Sequence, residues 1–174
     1  APAALAALVL ATRIPRLGRP RAMVFDEVYY ALDAADLLRH GVENNPAHPS
    51  LAKWLIAGGI RIVGFTPVGW RLASLVFGVV LVLVTWAAAR RITTSRGLAL
   101  AAGTLVALDG IAFTTGRLAL LDVFVATATT AAGWCLLAAL ADRDDPVRLR
   151  RWRWAVAVLL GLGTDMKWGA VWTW

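Results

Sequence analysis

Asp26 and Glu27 stand side by side in a chain that is otherwise largely apolar. An acidic pair of this kind can take a proton from an attacking hydroxyl, one carboxylate accepting it and the other orienting the first or sharing its proton. Asp26 also precedes a stretch, 31–40, with helical apolar spacing. A helix N-terminus favours negative charge through its free backbone N–H groups and its dipole, so capping is the competing reading of Asp26. Asp33 and Asp36 read as a solvated face of the same helix. His48-Pro49 has the form of a helix start, with Pro49 in the first turn. His48 and Lys53 can equally bind phosphate or orient a substrate. Arg71 and Arg117 sit at the ends of apolar runs, where they either snorkel or offer a guanidinium fork to two oxygens of a lipid phosphate. Asp122 follows Arg117 by five residues, off its helical face, and is expected to face another helix. No spacing suggests a metal cluster, and the single Cys135 lies in an apolar run.

The elements that must hold these groups are read as membrane spans. Hydrophobic residues make up 59% of the 174, mean hydropathy is +0.65 and there are nine Trp, which fits a polytopic membrane protein. Charged groups at membrane depth are costly, so they pair, face water or do chemistry. The spacing predicts four spans at 70–89, 97–113, 118–141 and 154–174, with 1–11 as the end of an earlier one. The arginine-rich loops 90–96 and 143–153 are expected on the cytoplasmic side. Arg13 to Ser50 then forms a long outer loop. The segment 51–65 carries Lys53 and Arg61, is too short to span, and is expected to lie along the outer surface. With this topology Asp26, Glu27, His48, Lys53, Arg71, Arg117 and Asp122 converge on the outer side, joined by Asp109 and Lys167 near the outer ends of their helices. The net charge of +7 is accounted for by these loops, which argues against a nucleic-acid partner. The chain starts inside an apolar stretch and reads as a fragment.

Six motifs occur in one order: Phe25-Asp26-Glu27-Val28-Tyr29-Tyr30, His48-Pro49 with Lys53, Gly69-Trp70-Arg71-Leu72, Leu108-Asp109-Gly110, Arg117 with Leu120-Leu121-Asp122, and Met166-Lys167-Trp168. In this ordered set the chain resembles the protein O-mannosyltransferase family of integral-membrane glycosyltransferases, in its actinobacterial-like form. The resemblance implies an all-α, polytopic GT-C transmembrane helix bundle with an outer catalytic loop and interfacial helices. Within the N-terminal part of that domain, residues 1–12 would end the first span, 13–69 form the outer catalytic loop and 70–174 supply four spans. It also implies transfer of mannose from a polyprenyl-phosphate carrier to Ser or Thr hydroxyls of secreted or membrane proteins, on the extracytoplasmic face of the cell membrane.

Asp26-Glu27 would then be the acidic pair of the catalytic loop, with Arg13, His48 and Arg71 at matching site positions. The expected chemistry is a single inverting displacement with Asp26 as general base, the leaving phosphate being stabilised by Arg71 and Lys53. No cofactor is expected, and the need for a divalent cation stays open. The chain departs from the family in His48-Pro49-Ser50-Leu51-Ala52-Lys53, where the family usually has a second proline after the first, and in a short segment 41–47. A relative using another lipid-linked sugar or acceptor is one alternative, and a membrane transporter is another.

Overall fold

A computed structural model describes residues 1–173, and the described residues form helices and connecting turns with no strand. In chain order the helices are α1 (Pro2–Arg13), α2 (Glu27–His40), α3 (Leu51–Val63), α4 (Pro67–Ile92), α5 (Arg96–Leu108), α6 (Gly110–Thr115), α7 (Asp122–Ala141) and α8 (Pro146–Met166). A short 3-10 segment, Trp168–Thr173, follows α8.

Local chemistry places the boundaries. Thr66 caps α4 by accepting from the Gly69 N–H at 3.1 Å, and Pro67 supplies the first helical residue. Asp145 does the same for α8, accepting from Val147 and Arg148 at 3.0 and 3.1 Å ahead of Pro146. These hydrogen bonds, the Arg148 one foremost, hold the Asp145 carboxyl below its usual range. Gly41 ends α2 in the left-handed region, at φ +71°.

Two helices, Pro67–Ile92 and Asp122–Ala141, are long and apolar enough to cross a membrane. They pack against each other, with Phe77 and Phe124 edge to face at 4.7 Å, and α8 packs on the other side of α7. A core of Tyr30, Ile56, Trp70, Leu121, Phe124 and Met166 ties α2, α3, α4 and α7 to the end of α8. A smaller cluster of Leu5, Val9, Val82 and Ala107 joins α1, α4 and α5.

Three expected spans take a different form. The stretch 97–113 is two helices, because Asp109 leaves the helix at ψ 134° and caps α6 by accepting from Ala112 at 2.8 Å. The helix expected from 154 begins instead at Pro146, so its first two turns carry the arginines of the preceding loop, and it ends at Met166. Residue Trp174 of that expectation lies outside the described residues. The stretch from 118 enters its helix only at Asp122. Helix α3, 13 residues or about 20 Å long, is short of a span. It buries Ala52, Lys53, Ile56 and Ile60 against α2 and α4.

Candidate functional site

The turn before α2 sets up everything around Asp26. Phe25 has φ +53°, a conformation that side-chain-bearing residues adopt at a cost, and its ring is largely exposed. The strain persists because Glu27, two residues on, is fastened from several directions. Glu27 is fully buried. Its Oε1 accepts from Arg71 Nε at 2.7 Å and from the Ala119 N–H at 2.8 Å, and its Oε2 accepts from Arg71 Nη2 at 2.6 Å and from the Val24 N–H at 3.0 Å.

Arg71 is equally buried, on the first turns of α4. Besides Glu27 it donates through Nη1 to the carbonyls of Leu17 and Pro20, at 3.0 and 2.8 Å, and through Nη2 to that of Ala22 at 3.3 Å. All five guanidinium N–H groups are thereby used. The fork holds the 17–27 loop onto the bundle and has no donor left for a substrate phosphate in this arrangement.

Lys53 is a second pin. Its ammonium, almost fully buried, pairs with Asp33 at 2.9 Å and Glu43 at 3.0 Å and donates to the Asn45 carbonyl at 2.5 Å. Its three donors are likewise spent. Asp33 also accepts from the Asn44 and Asn45 N–H groups at 3.2 and 3.0 Å. Asp33 therefore belongs to the buried interior, not to the solvated face that helical spacing alone suggested. Asp36 does face outward, accepting from Asn44 Nδ2.

Arg13 is sealed between α1, α4 and α6. Its guanidinium lies over the Phe113 ring at 5.7 Å and makes no hydrogen bond among the described residues. Gly78 and Gly116 make the room, since a Cβ at either would collide with Arg13 Nη1. Arg117 is half-buried, donating through Nη2 to the Arg16 and Arg19 carbonyls at 2.6 and 3.1 Å. Its guanidinium lies over the Phe113 ring at 5.5 Å, and neither Nε nor Nη1 makes a hydrogen bond among the described residues. Partial burial, then the positive charges of Arg71 and Arg16, hold its guanidinium below the usual range.

The groups left open form a separate edge. Asp26 is exposed, and its Oδ2 accepts from the Tyr30 hydroxyl at 3.3 Å. Burial first, then the charge of Asp26 and this hydrogen bond, push the Tyr30 phenol well above its usual range, so it remains a donor. The Tyr30 ring lies 6.2 Å from that of His48, whose Nδ1 is buried without a partner. Partial burial and the positive charges of Lys167 and Lys53 hold His48 below its ordinary value, against the opposing pull of Asp26 and Asp122.

Asp122 opens α7 and pairs with Lys167, just past the end of α8, at 2.7 Å. The Trp168 indole donates to the Ala47 carbonyl at 3.1 Å, tying the end of α8 to the segment before His48. A cavity of about 350 Å³ opens there, lined among others by Glu43, His48, Ser50, Thr164, Asp165 and Trp168. Among the described residues, no three His, Cys, Asp or Glu side chains are grouped to hold a metal ion.

Asp26, His48 and Asp122 are thus brought to one edge, while Glu27, Lys53 and Arg71 are spent in buried pairs behind it. Lys167 joins this edge, as its expected place at the outer end of its helix implies, and the buried Tyr30 reaches it through its hydroxyl, a residue that only its motif had signalled.

Among the described residues the chain is all-helical, with two helices long and apolar enough to cross a membrane and a polar edge around an exposed carboxylate, features consistent with the class of helical membrane proteins. The family described as dolichyl-phosphate-mannose-protein mannosyltransferase matches residues 3–71 and 66–174. The chain is 35% identical over 97% of its length to a polyprenol-phosphate-mannose--protein mannosyltransferase of Mycolicibacterium smegmatis, covering 38% of that protein. It is 32% identical over 97% of its length to the protein of the same name from Corynebacterium glutamicum, covering 39% of it. To that of Mycobacterium tuberculosis it is 38% identical over 85% of its length, covering 33%. The chain belongs to the dolichyl-phosphate-mannose-protein mannosyltransferase family, and it spans under two-fifths of the length of these curated relatives.

Proposed function

We propose that the whole protein transfers mannose from a polyprenyl-phosphate-mannose donor to Ser or Thr hydroxyls of secreted or membrane proteins, on the extracytoplasmic face of the membrane. The relatives' names support the donor and the protein acceptor. The observation that carries the site assignment is the division of the acidic pair: Glu27 has every oxygen engaged, whereas Asp26 is exposed and, among the described residues, its side chain meets the Tyr30 hydroxyl alone.

Asp26 is the general base. As the acceptor oxygen attacks the anomeric carbon, Asp26 takes its proton, the bond from that carbon to the lipid-phosphate oxygen breaks, and the configuration inverts. Tyr30 holds the Asp26 carboxylate in place. His48, largely neutral at physiological pH, lines the acceptor side with its unpartnered Nδ1. The leaving phosphate needs cations with donors to spare. Arg117 through Nη1 and Lys167, paired among the described residues to Asp122 alone, fit that requirement. Arg71 and Lys53 serve the phosphate indirectly, by positioning the loop and α3, and Arg13 adds positive potential beneath it. The segments 90–96 and 143–153 lie on the cytoplasmic side, and α3 lies along the outer surface.

The test is mannose transfer from polyprenyl-phosphate-mannose to a Ser/Thr-rich peptide by membranes carrying the full-length protein. Asp26→Asn should remove transfer while protein level and thermal unfolding stay unchanged. Transfer by this variant at the wild-type rate would discard the base assignment. Absence of transfer by well-folded wild type would discard the donor or the acceptor.

A further inference from the structure

Arg71 and Arg91 are 20 residues apart on the continuous helix α4. At 1.5 Å per residue they are separated by about 30 Å, the thickness of a bilayer's hydrocarbon core. The end of the bundle around Arg91 is therefore remote from Asp26 and carries its own constellation. The segments 90–96 and 142–153 hold eight arginines against three aspartates, most of the chain's net charge.

Much of this charge is organised. The Arg91 guanidinium lies over the rings of Trp134 and Trp152, at 5.1 and 5.8 Å, and those rings meet edge to face at 5.7 Å. The Trp152 indole donates to Asp142 at 2.8 Å, and Arg148 approaches the other oxygen of Asp142 at 3.6 Å and Asp145 at 3.4 Å. Two of the three acids, Asp142 and Asp145, are thus occupied. A cavity of about 400 Å³ opens beside Asp142, lined by Asp142, Arg148, Arg151, Trp152 and Ala155. Arg151 is exposed and makes no hydrogen bond or ion pair among the described residues. Val147, Arg151, Trp154 and Val158 follow one another along one face of α8, and all four are exposed. A free cation set in an apolar stripe with a Trp beside it matches a molecule that is anionic at one end and apolar along its length.

We propose that this end of α7 and α8 is a binding site for an anionic phospholipid. Its phosphate enters the cavity between Arg148 and Arg151, over Trp152, and its acyl chains run along Trp154 and Val158. The helix ends carrying it would face the cytoplasmic leaflet. The site takes no part in mannose transfer, and its existence does not depend on which sugar the protein uses.

The full-length protein, purified in detergent, is titrated with phosphatidylglycerol and with phosphatidylcholine and read by native mass spectrometry. Three forms are compared: wild type, Arg148→Gln/Arg151→Gln, and Arg143→Gln/Arg150→Gln, which removes the same charge outside the cavity. Phosphatidylglycerol should bind the first double variant roughly 10- to 30-fold more weakly than wild type and the second within about threefold. Phosphatidylcholine should not compete, and inorganic phosphate at 10 mM should leave the lipid in place. Equal losses in the two double variants would reduce the site to diffuse charge and overturn the proposal. Equal retention of phosphatidylcholine, or displacement by phosphate alone, would overturn it as well. Arg151→Gln by itself, at a side chain with no hydrogen bond or ion pair among the described residues, decides the matter if the double variant fails to fold, with about a fivefold loss expected and wild-type binding contradicting.

Discussion

Asp26 and Glu27 are neighbours in the chain and opposites in the fold. Glu27 is buried behind the helix start with both oxygens doubly engaged, and Asp26 looks outward with, among the described residues, a single tyrosine hydroxyl for company. The same contrast runs through the cations. Arg71 and Lys53 have spent every donor on carboxylates and backbone carbonyls, whereas Lys167 and Arg117 keep donors in reserve. A buried ion pair is costly to desolvate and becomes tolerable only when its remaining hydrogen-bond groups are satisfied. Once satisfied it has nothing left to offer a substrate. Within this polar cluster, saturated groups hold and unsaturated ones are free to act.

Substitutions on the holding side should damage the fold before the chemistry. Arg71→Ala strands the buried Glu27 carboxylate and releases three loop carbonyls, so it should cost about 3 to 5 kcal/mol, seen as a large fall in thermal unfolding temperature. Retained stability with lost transfer would move Arg71 to the acting side. Lys53→Ala leaves Asp33 buried opposite an empty space, with Glu43 half freed, and should cost about 3 kcal/mol by the same measurement. Gly116→Ala pushes a methyl group into the sealed Arg13 guanidinium and should cost about 1 to 3 kcal/mol through overpacking. A neutral effect would mean that Arg13 has room to move.

The smallest effect belongs to the open edge. Lys167 is among the charges that hold His48 down, so Lys167→Met should raise the His48 titration toward its ordinary 6.5, followed by NMR of labelled histidine. The sign for stability follows. A histidine whose folded value lies below its unfolded one binds its proton more readily when unfolded. Its contribution is therefore complete above pH 6.5 and diminishes as pH falls from there through the folded value. Lys167→Met should narrow that window, and an unmoved titration would remove Lys167 from the neighbourhood of His48.

Part of this division was legible in the residues. The order of the motifs carries the family, and the apolar runs at 70–89 and 118–141 carry the two long helices to within a few residues at their ends, because long apolar segments declare themselves by composition alone. The cap at Asp109 was also present as an Asp-Gly pair, yet the apolar run on either side of it reads as one helix. Which acid of the pair is buried was not legible. Glu27 meets Arg71 from 44 positions away and the Ala119 N–H from 92, contacts that no local pattern encodes. Asp33 misled for the same reason. Its helical position looks solvated until α3 delivers Lys53 against it.

The measurement that tests the division most directly sets Asp26→Asn beside Glu27→Ala in the full-length protein, with thermal unfolding and mannose transfer read on each. Asp26→Asn should unfold at the wild-type temperature and lose transfer by about 10² to 10⁴-fold, whereas Glu27→Ala should lose its folded state. Near-normal transfer by Asp26→Asn, or a Glu27→Ala protein of native stability that is catalytically dead, would contradict the account.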